Sequence, residues 1–249
     1  MQISVEHLCR TFGSVTAVDD LSFEVGAGEI VGLLGPNGAG KTTALRTLAG
    51  ILRPSSGRVR MAGHDLQEAP VPARQALAFM PDEPHLFEYL TVEEHLRLVG
   101  RLFGVRDIDG RARPLLEELD LVGREGMLPG ELSRGMRQKV VIACGLVRNP
   151  AVLLFDEPLT GLDPLGIRRM RETILARARA CAAILLSSHL LTLVEEVCTR
   201  VIIMHAGRKI ADGTVRELAA RTDLADADSS LEQIFLQVTG HDARPHQPA

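Results

Sequence analysis

Residues 29–42 read EIVGLLGPNGAGKT, a short apolar run that meets a glycine-rich loop closing on Lys41 and Thr42, with Thr43 directly after. Beyond it Leu45, Leu48 and Ala49 recur at helical spacing before Gly50 and Pro54, so the order is strand, loop, helix. The loop itself, GPNGAGKT over residues 35–42, fits the pattern G-x-x-x-x-G-K-[ST]. Polyphosphate packs several negative charges close together. Consecutive backbone N–H groups and the positive end of a helix dipole surround such a group best when no bulky side chain intervenes. Gly35, Gly38 and Gly40 permit that approach, with Pro36, Asn37 and Ala39 between them. Lys41 then stands as a point charge at the β and γ phosphates, and the Thr42 hydroxyl completes an octahedral Mg²⁺ site shared with phosphate oxygens. A glycine-rich turn that arose by chance is the plain alternative, and the strand before it and the helix after it weigh against that.

Working outward, further apolar runs stand at Val152–Phe155, Ala183–Leu186 and Val201–Met204, separated by helical stretches. Near-continuous hydrophobicity of this kind suits parallel strands covered on both faces. Residues 1–25 instead alternate, with Leu21, Phe23 and Val25 on one side and Ser22 and Glu24 on the other, as a half-buried antiparallel strand does. Between residues 85 and 150 there is no convincing strand, and helices are expected at Val92–Arg101 and Leu115–Leu121. The expectation is one domain over 1–240: an α/β core with a β layer from 1–84 and 151–215, a helical subdomain at 85–150 and a helical extension at 216–240. HDARPHQPA, from His241, is polar and aperiodic and reads as a disordered tail.

The 249 residues carry 28 Lys+Arg against 32 Asp+Glu, a formal charge of −4 that excludes nucleic-acid binding driven by bulk charge. With 45% hydrophobic residues the chain is long enough for a substantial core, which excludes disorder throughout. The longest nearly apolar stretch is Val140–Val147, far short of the ~20 residues needed to cross a bilayer, and MQISVEHLCR lacks the apolar region of an export signal. A soluble, unexported chain is expected. Cys9, Cys144, Cys181 and Cys198 lie far apart with no zinc-type spacing, which predicts reduced thiols. Five arginines, Arg168, Arg169, Arg171, Arg177 and Arg179, share one expected helix with Glu172 and read as a solvated face.

A phosphate loop leaves several nucleotide enzymes open, and the second half of the chain narrows them. LLFDEP, residues 153–158, puts Asp156 and Glu157 at the end of a buried strand, where open α/β sheets place their ligands. Adjacent carboxylates divide the labour: Asp156 reaches Mg²⁺, directly or through water, and Glu157 accepts a proton from, or orients, the attacking water. Upstream, ELSRGMRQK at residues 131–139 has Leu132, Met136, Val140 and Ala143 at helical spacing behind Ser133 at a capping position.

With these motifs and TGLDP and SSHL further on, the chain resembles the nucleotide-binding subunit of an ATP-binding cassette (ABC) transporter over residues 1 to about 240. Order and spacing agree, with 92 positions from Lys41 to Ser133 and 23 from Ser133 to Asp156. The resemblance implies a P-loop NTPase (RecA-like) α/β core with a small antiparallel β layer and an inserted helical subdomain. It also implies that two subunits face head to tail, each ATP held between the phosphate loop of one and the signature of the other. On that reading Ser133 and Gly135 meet a γ phosphate across the interface and Asp163 links the two sites. His189 contacts the γ phosphate and helps place the water, beside Glu157 and Lys41 as catalytic groups. Phe12 stands where the family stacks an aromatic ring on adenine, with core packing as its plain alternative.

Three positions depart from the family pattern. Asp82, in MPDEPHLF, stands where relatives carry Gln; an anion there reaches Mg²⁺ directly or through water, but is repelled by the γ phosphate unless the metal intervenes. Arg134 replaces the first glycine of the signature and Met136 its final Gln, and Arg134 is expected to point away from the phosphate site or add charge to it. GMRQK and LEQIFLQVTG, residues 231–240, resemble the branch serving drug, antibiotic or polysaccharide exporters. The implied function is ATP hydrolysis driving a separate integral-membrane permease from the cytoplasmic face of the cell membrane, with a second ATPase subunit and no nucleic acid. A soluble ABC ATPase of a non-transport assembly, such as Fe–S assembly, is the second reading. A nucleotide sensor without turnover is disfavoured because Lys41, Asp156, Glu157 and His189 are all present.

Overall fold

In the computed structural model, which describes residues 1–221 and 230–242, the chain begins with two long strands. β1 (Ile3–Phe12) and β2 (Val15–Val25) pair antiparallel, with Ile3 opposite Val25 and Val5 opposite Phe23. Leu21, Phe23 and Val25 are buried and Glu24 is exposed, as the alternation predicts. β3 (Ile30–Leu34) is buried at every position and leads into α1 (Lys41–Leu48). β4 (Ser56–Met61) and the two-residue β5 (His64–Asp65) join β1 to complete a four-stranded sheet, β2-β1-β4-β5. α2 (Pro70–Ala76) then passes straight into β6 (Leu77–Met80). β6 is a strand that the sequence pattern did not reveal: four residues are too few for a periodicity, and helical sequence abuts them.

The helical segment follows as α3 (Val92–Leu102), α4 (Ile108–Glu118) and α5 (Arg134–Leu146). α3 starts at a capping box, in which Thr91 accepts from the Glu94 N–H and Glu94 reaches back to Thr91. α4 corrects the expected helix at Leu115–Leu121. It begins seven residues earlier, where Asp107 accepts from the Gly110 N–H, runs through Pro114, and stops before Asp120, which has φ 59°. A proline looks like a helix start in sequence, yet here the cap upstream supplies the nucleus.

The remaining elements are β7 (Val152–Asp156), α6 (Pro164–Arg179), β8 (Ala183–Ser187), α7 (Leu191–Val197), β9 (Arg200–His205), β10 (Arg208–Gly213), α8 (Val215–Arg221) and α9 (Leu231–Asp242). α9 continues through His241 and Asp242, which corrects the expected tail at those two positions, and residues 243–249 lie outside the described residues. The second sheet has the order β10-β9-β3-β8-β7-β6, parallel except for the β10 edge. Alternation along its strands splits the core in two. Val31, Leu33, Leu154, Leu185 and Ile202 face α1 and the four-stranded sheet. Ile30, Leu34, Phe155, Ile184, Leu186 and Ile203 face the helices on the other side. Four of the five arginines of α6 meet carboxylates: Arg168 pairs Glu172, Arg169 pairs Asp120, Arg171 pairs Glu196 and Arg177 pairs Glu118. Among the described residues no helix is long and apolar enough to cross a membrane.

Candidate functional site

Because β3, β7 and β8 are parallel neighbours, their carboxyl ends open on one edge of the sheet. β3 delivers residues 35–42, β7 delivers Asp156 and Glu157, and β8 delivers Ser187 to His189. A polar pocket at this edge is lined by Asn37 to Thr43 together with Ala17, Asp82 and Glu157. Gly40, the residue before α1, has φ 98°, and a Cβ there would run into the Ala17 carbonyl. A left-handed backbone and a close neighbour together require glycine at that point.

Lys41 turns back over the loop and donates to the carbonyls of Gly35 at 2.6 Å and Pro36 at 3.1 Å. Burial lowers its pKa below the usual lysine value, and the negative charges of Glu157 and Asp156 oppose that shift. Asp156 is 2% exposed, and one carboxylate oxygen accepts from the Thr42 hydroxyl at 3.2 Å and the Ser187 hydroxyl at 2.7 Å. The same Ser187 oxygen accepts the Glu157 backbone N–H at 3.0 Å. Glu157 has φ 50°, a left-handed conformation that costs a non-glycine residue about 1–2 kcal/mol. The Ser187 bond helps hold it there, with the carboxylate bordering the pocket. Glu157 Oε2 accepts the His189 N–H at 3.2 Å and lies 2.7 Å from His189 Nδ1. Sequence reading singled out His189 and passed over Ser187, although both lie in the same SSHL stretch; its signal is only the parallel register that sets Ser187 beside Asp156.

The other expected residues are distributed differently. Ser133 is exposed and caps α5 through the Met136 N–H at 3.2 Å, and it does not border the phosphate pocket of its own chain. Gly135 is buried under the loop after β7, where a Cβ would come within 2.7 Å of the Gly161 carbonyl oxygen. Asp163 caps α6, accepting from the Gly166 N–H at 2.8 Å. Phe12 is 44% exposed at the end of β1 and takes the Arg10 guanidinium over its ring at 4.3 Å, so it does not belong to the core. Asp82 borders the pocket, and its charge is met by Arg134, 3.3 Å away.

Thr42 and Asp156 suit a hard divalent cation, since both present oxygen and share a hydrogen bond. Among the described residues no cluster of three His, Cys, Asp or Glu side chains stands ready for a metal. The remaining ligands of an octahedral ion would therefore be phosphate oxygens and water, which is the way Mg²⁺ is usually held.

Comparison with known proteins agrees with this geometry. Residues 18–160 match the family described as ABC transporter. The ABC-type transporter ATP-binding protein EcsA of Bacillus subtilis (strain 168) is 35% identical over 97% of this chain and 98% of its own. The Nod factor export ATP-binding protein I of Paraburkholderia xenovorans (strain LB400) is 40% identical over 88% of this chain and 72% of its own. A solved structure of the ATP binding subunit of an ABC transporter superimposes with a TM-score of 0.90 at 34% identity, covering 96% of this chain and 99% of that one. The chain therefore belongs to the ABC transporter family, among its ATP-binding, ATP-hydrolysing subunits.

Proposed function

We propose that this chain is the motor subunit of an exporter: it binds ATP with Mg²⁺, closes head to tail on a second subunit, and drives a separate integral-membrane permease from the cytoplasmic face. The hydrogen-bonded run from Thr42 through Asp156 and Ser187 to Glu157 and His189 carries the reading. Lys41 leaves the Gly35 and Pro36 carbonyls for the β and γ phosphates. Thr42 and Asp156 would hold Mg²⁺, which neutralises phosphate charge when bound. Glu157 accepts the proton of the water that attacks the γ phosphorus as the bond to the bridging oxygen breaks, and His189 orients that carboxylate and the γ phosphate. Ser133, exposed at the start of α5 and not bordering its own pocket, would meet the γ phosphate of the opposing subunit. The likeness to a Nod factor export protein supports the outward direction.

A groove between the β6 edge and the helical segment offers the permease a seat. Leu77, Phe79, Phe87, Val99 and Phe103 line it with Arg74 and Arg148 and no acidic side chain. Phe87 is 64% exposed at its mouth. His95 fixes this loop as the neutral Nδ1–H tautomer, donating to the Thr91 carbonyl at 2.8 Å and accepting the Phe87 N–H at 2.9 Å. Apolar walls with cationic ends suit an amphipathic segment that carries a carboxylate.

Glu157→Gln is expected to bind ATP and accumulate a dimer seen by sedimentation, whereas Lys41→Ala loses tight ATP binding. Wild-type turnover in Glu157→Gln would contradict the assigned base. Affinity purification in mild detergent is expected to bring down a polytopic membrane protein. Soluble partners alone would favour the non-transport reading.

A further inference from the structure

Two of the three positions that depart from the family pattern, Asp82 and Arg134, touch one another. Asp82 Oδ1 lies 3.3 Å from Arg134 Nη2, and the two side chains are about half exposed. The contact is built rather than casual. One turn further along α5, Gln138 is buried and its amide donates to the Pro81 carbonyl at 3.0 Å. Positions i and i+4 of one helix face therefore grip two consecutive residues of the segment after β6. Asp82 borders two clefts. One is the phosphate pocket with Lys41, Thr42 and Glu157, and the other is lined by Asp82, Glu83, Pro84, Arg134 and Arg137. Arg134 opens α5 directly behind Ser133, which the head-to-tail reading sets against the opposing subunit.

We propose that Asp82 and Arg134 couple the two nucleotide sites of the dimer, with Arg134 exchanging Asp82 for the polyphosphate held by the partner copy. The inference rests on the head-to-tail pairing proposed above. An exposed pair in water is weak, and a triphosphate with several negative charges competes for a guanidinium more strongly than one carboxylate does. When Arg134 leaves, Asp82 stands without its counter-charge at the edge of its own phosphate pocket. Occupancy of one site thereby changes the field in the other, and by linkage the effect is reciprocal. Asp82 is on this account a positioning residue that restrains Arg134 until the opposing nucleotide arrives.

The experiment is a double-mutant cycle on ATP-dependent dimerisation, measured by sedimentation in the Glu157→Gln chain so that turnover does not interfere. Asp82→Asn is expected to free Arg134 and lower the protein concentration for half-dimerisation about five-fold or more. Arg134→Ala is expected to raise it by a similar factor, and Arg134→Lys to recover part of the loss. At saturating ATP, Asp82→Asn added to Arg134→Ala is expected to change dimerisation much less than it does in the parent, because no competition for Arg134 is left and only the charge of Asp82 at its own pocket is removed. Equal effects of Asp82→Asn with and without Arg134 would overturn the proposal, as would undiminished dimerisation of a folded Arg134→Ala, with folding checked by circular dichroism. If the Glu157→Gln parent itself does not dimerise with ATP, the head-to-tail reading fails. If the parent dimerises and the cycle shows no coupling, only the Asp82–Arg134 inference fails.

Discussion

Ser187 is the residue on which the acidic end of the site depends. One hydroxyl donates to the buried Asp156 and accepts the N–H of Glu157, so it fixes together the carboxylate proposed to hold the metal and the strained backbone of the proposed base. Ser187→Ala removes a support that acts through other residues. The Mg²⁺ requirement of ATP hydrolysis, or the turnover rate, is expected to worsen about 10–100-fold, with smaller change in ATP binding by a fluorescent analogue. Lys41 gives a second test at this scale. On the proposed reading its ammonium form binds phosphate, and burial lowers its pKa. Raising the pH through that lowered value removes the charge, so ATP affinity should fall at a less alkaline pH than an ordinary lysine would dictate. Titrating the dissociation constant from neutral to strongly alkaline pH checks it, and Lys41→Arg should flatten the profile. The placing of Lys41 and Asp156 at one edge of the sheet was legible in sequence, because Asp156 ends one buried strand and Lys41 closes the loop after another. Ser187 was not, since its partners lie 31 and 30 positions away.

Among the elements, α5 ties the helical segment to the nucleotide edge. Ser133 caps it, Gln138 and Arg134 hold the segment after β6, and Gly135 lets the Gly161 loop lie against its first turn. Gly135→Ala places a methyl group 2.7 Å from the Gly161 carbonyl oxygen. Backbone there does not yield as a side-chain end does. The loss should be about 1–3 kcal/mol, read as a lowered midpoint in thermal or denaturant unfolding. If Gly135→Ala unfolds like the parent, the helix start moves freely against the loop after β7. Sequence periodicity found α3 and α5 because their caps coincide with the start of the apolar pattern. It misplaced α4, whose cap at Asp107 lies seven residues before Pro114, and it missed β6, which has four residues.

At the scale of the whole molecule, the nucleotide edge and the apolar groove border the same segment after β6, through Asp82 on one side and Leu86 and Phe87 on the other. About five residues of chain thus separate the phosphate pocket from the groove. Phe87→Asp should abolish association with membranes containing the permease while the isolated chain still binds ATP, as checked by vesicle co-sedimentation and nucleotide titration. Retained membrane association would place the permease elsewhere. Buried thiols add a check on packing: burial pushes Cys144 and Cys198 up to about 12, so alkylation of the folded chain near neutral pH should fall on the exposed Cys181 first. The sequence by itself determined the strand–loop–helix at residues 29–48, the acidic strand end and the family, because each is written in contiguous residues whose local geometry follows from their types. Only the tertiary structure decided that Ser187 joins Asp156 to Glu157, that Gly135 is covered, and that Arg134 answers Asp82. Those contacts join residues that are distant in the chain, and parallel strand register and helix packing, rather than local propensity, bring them within hydrogen-bonding range.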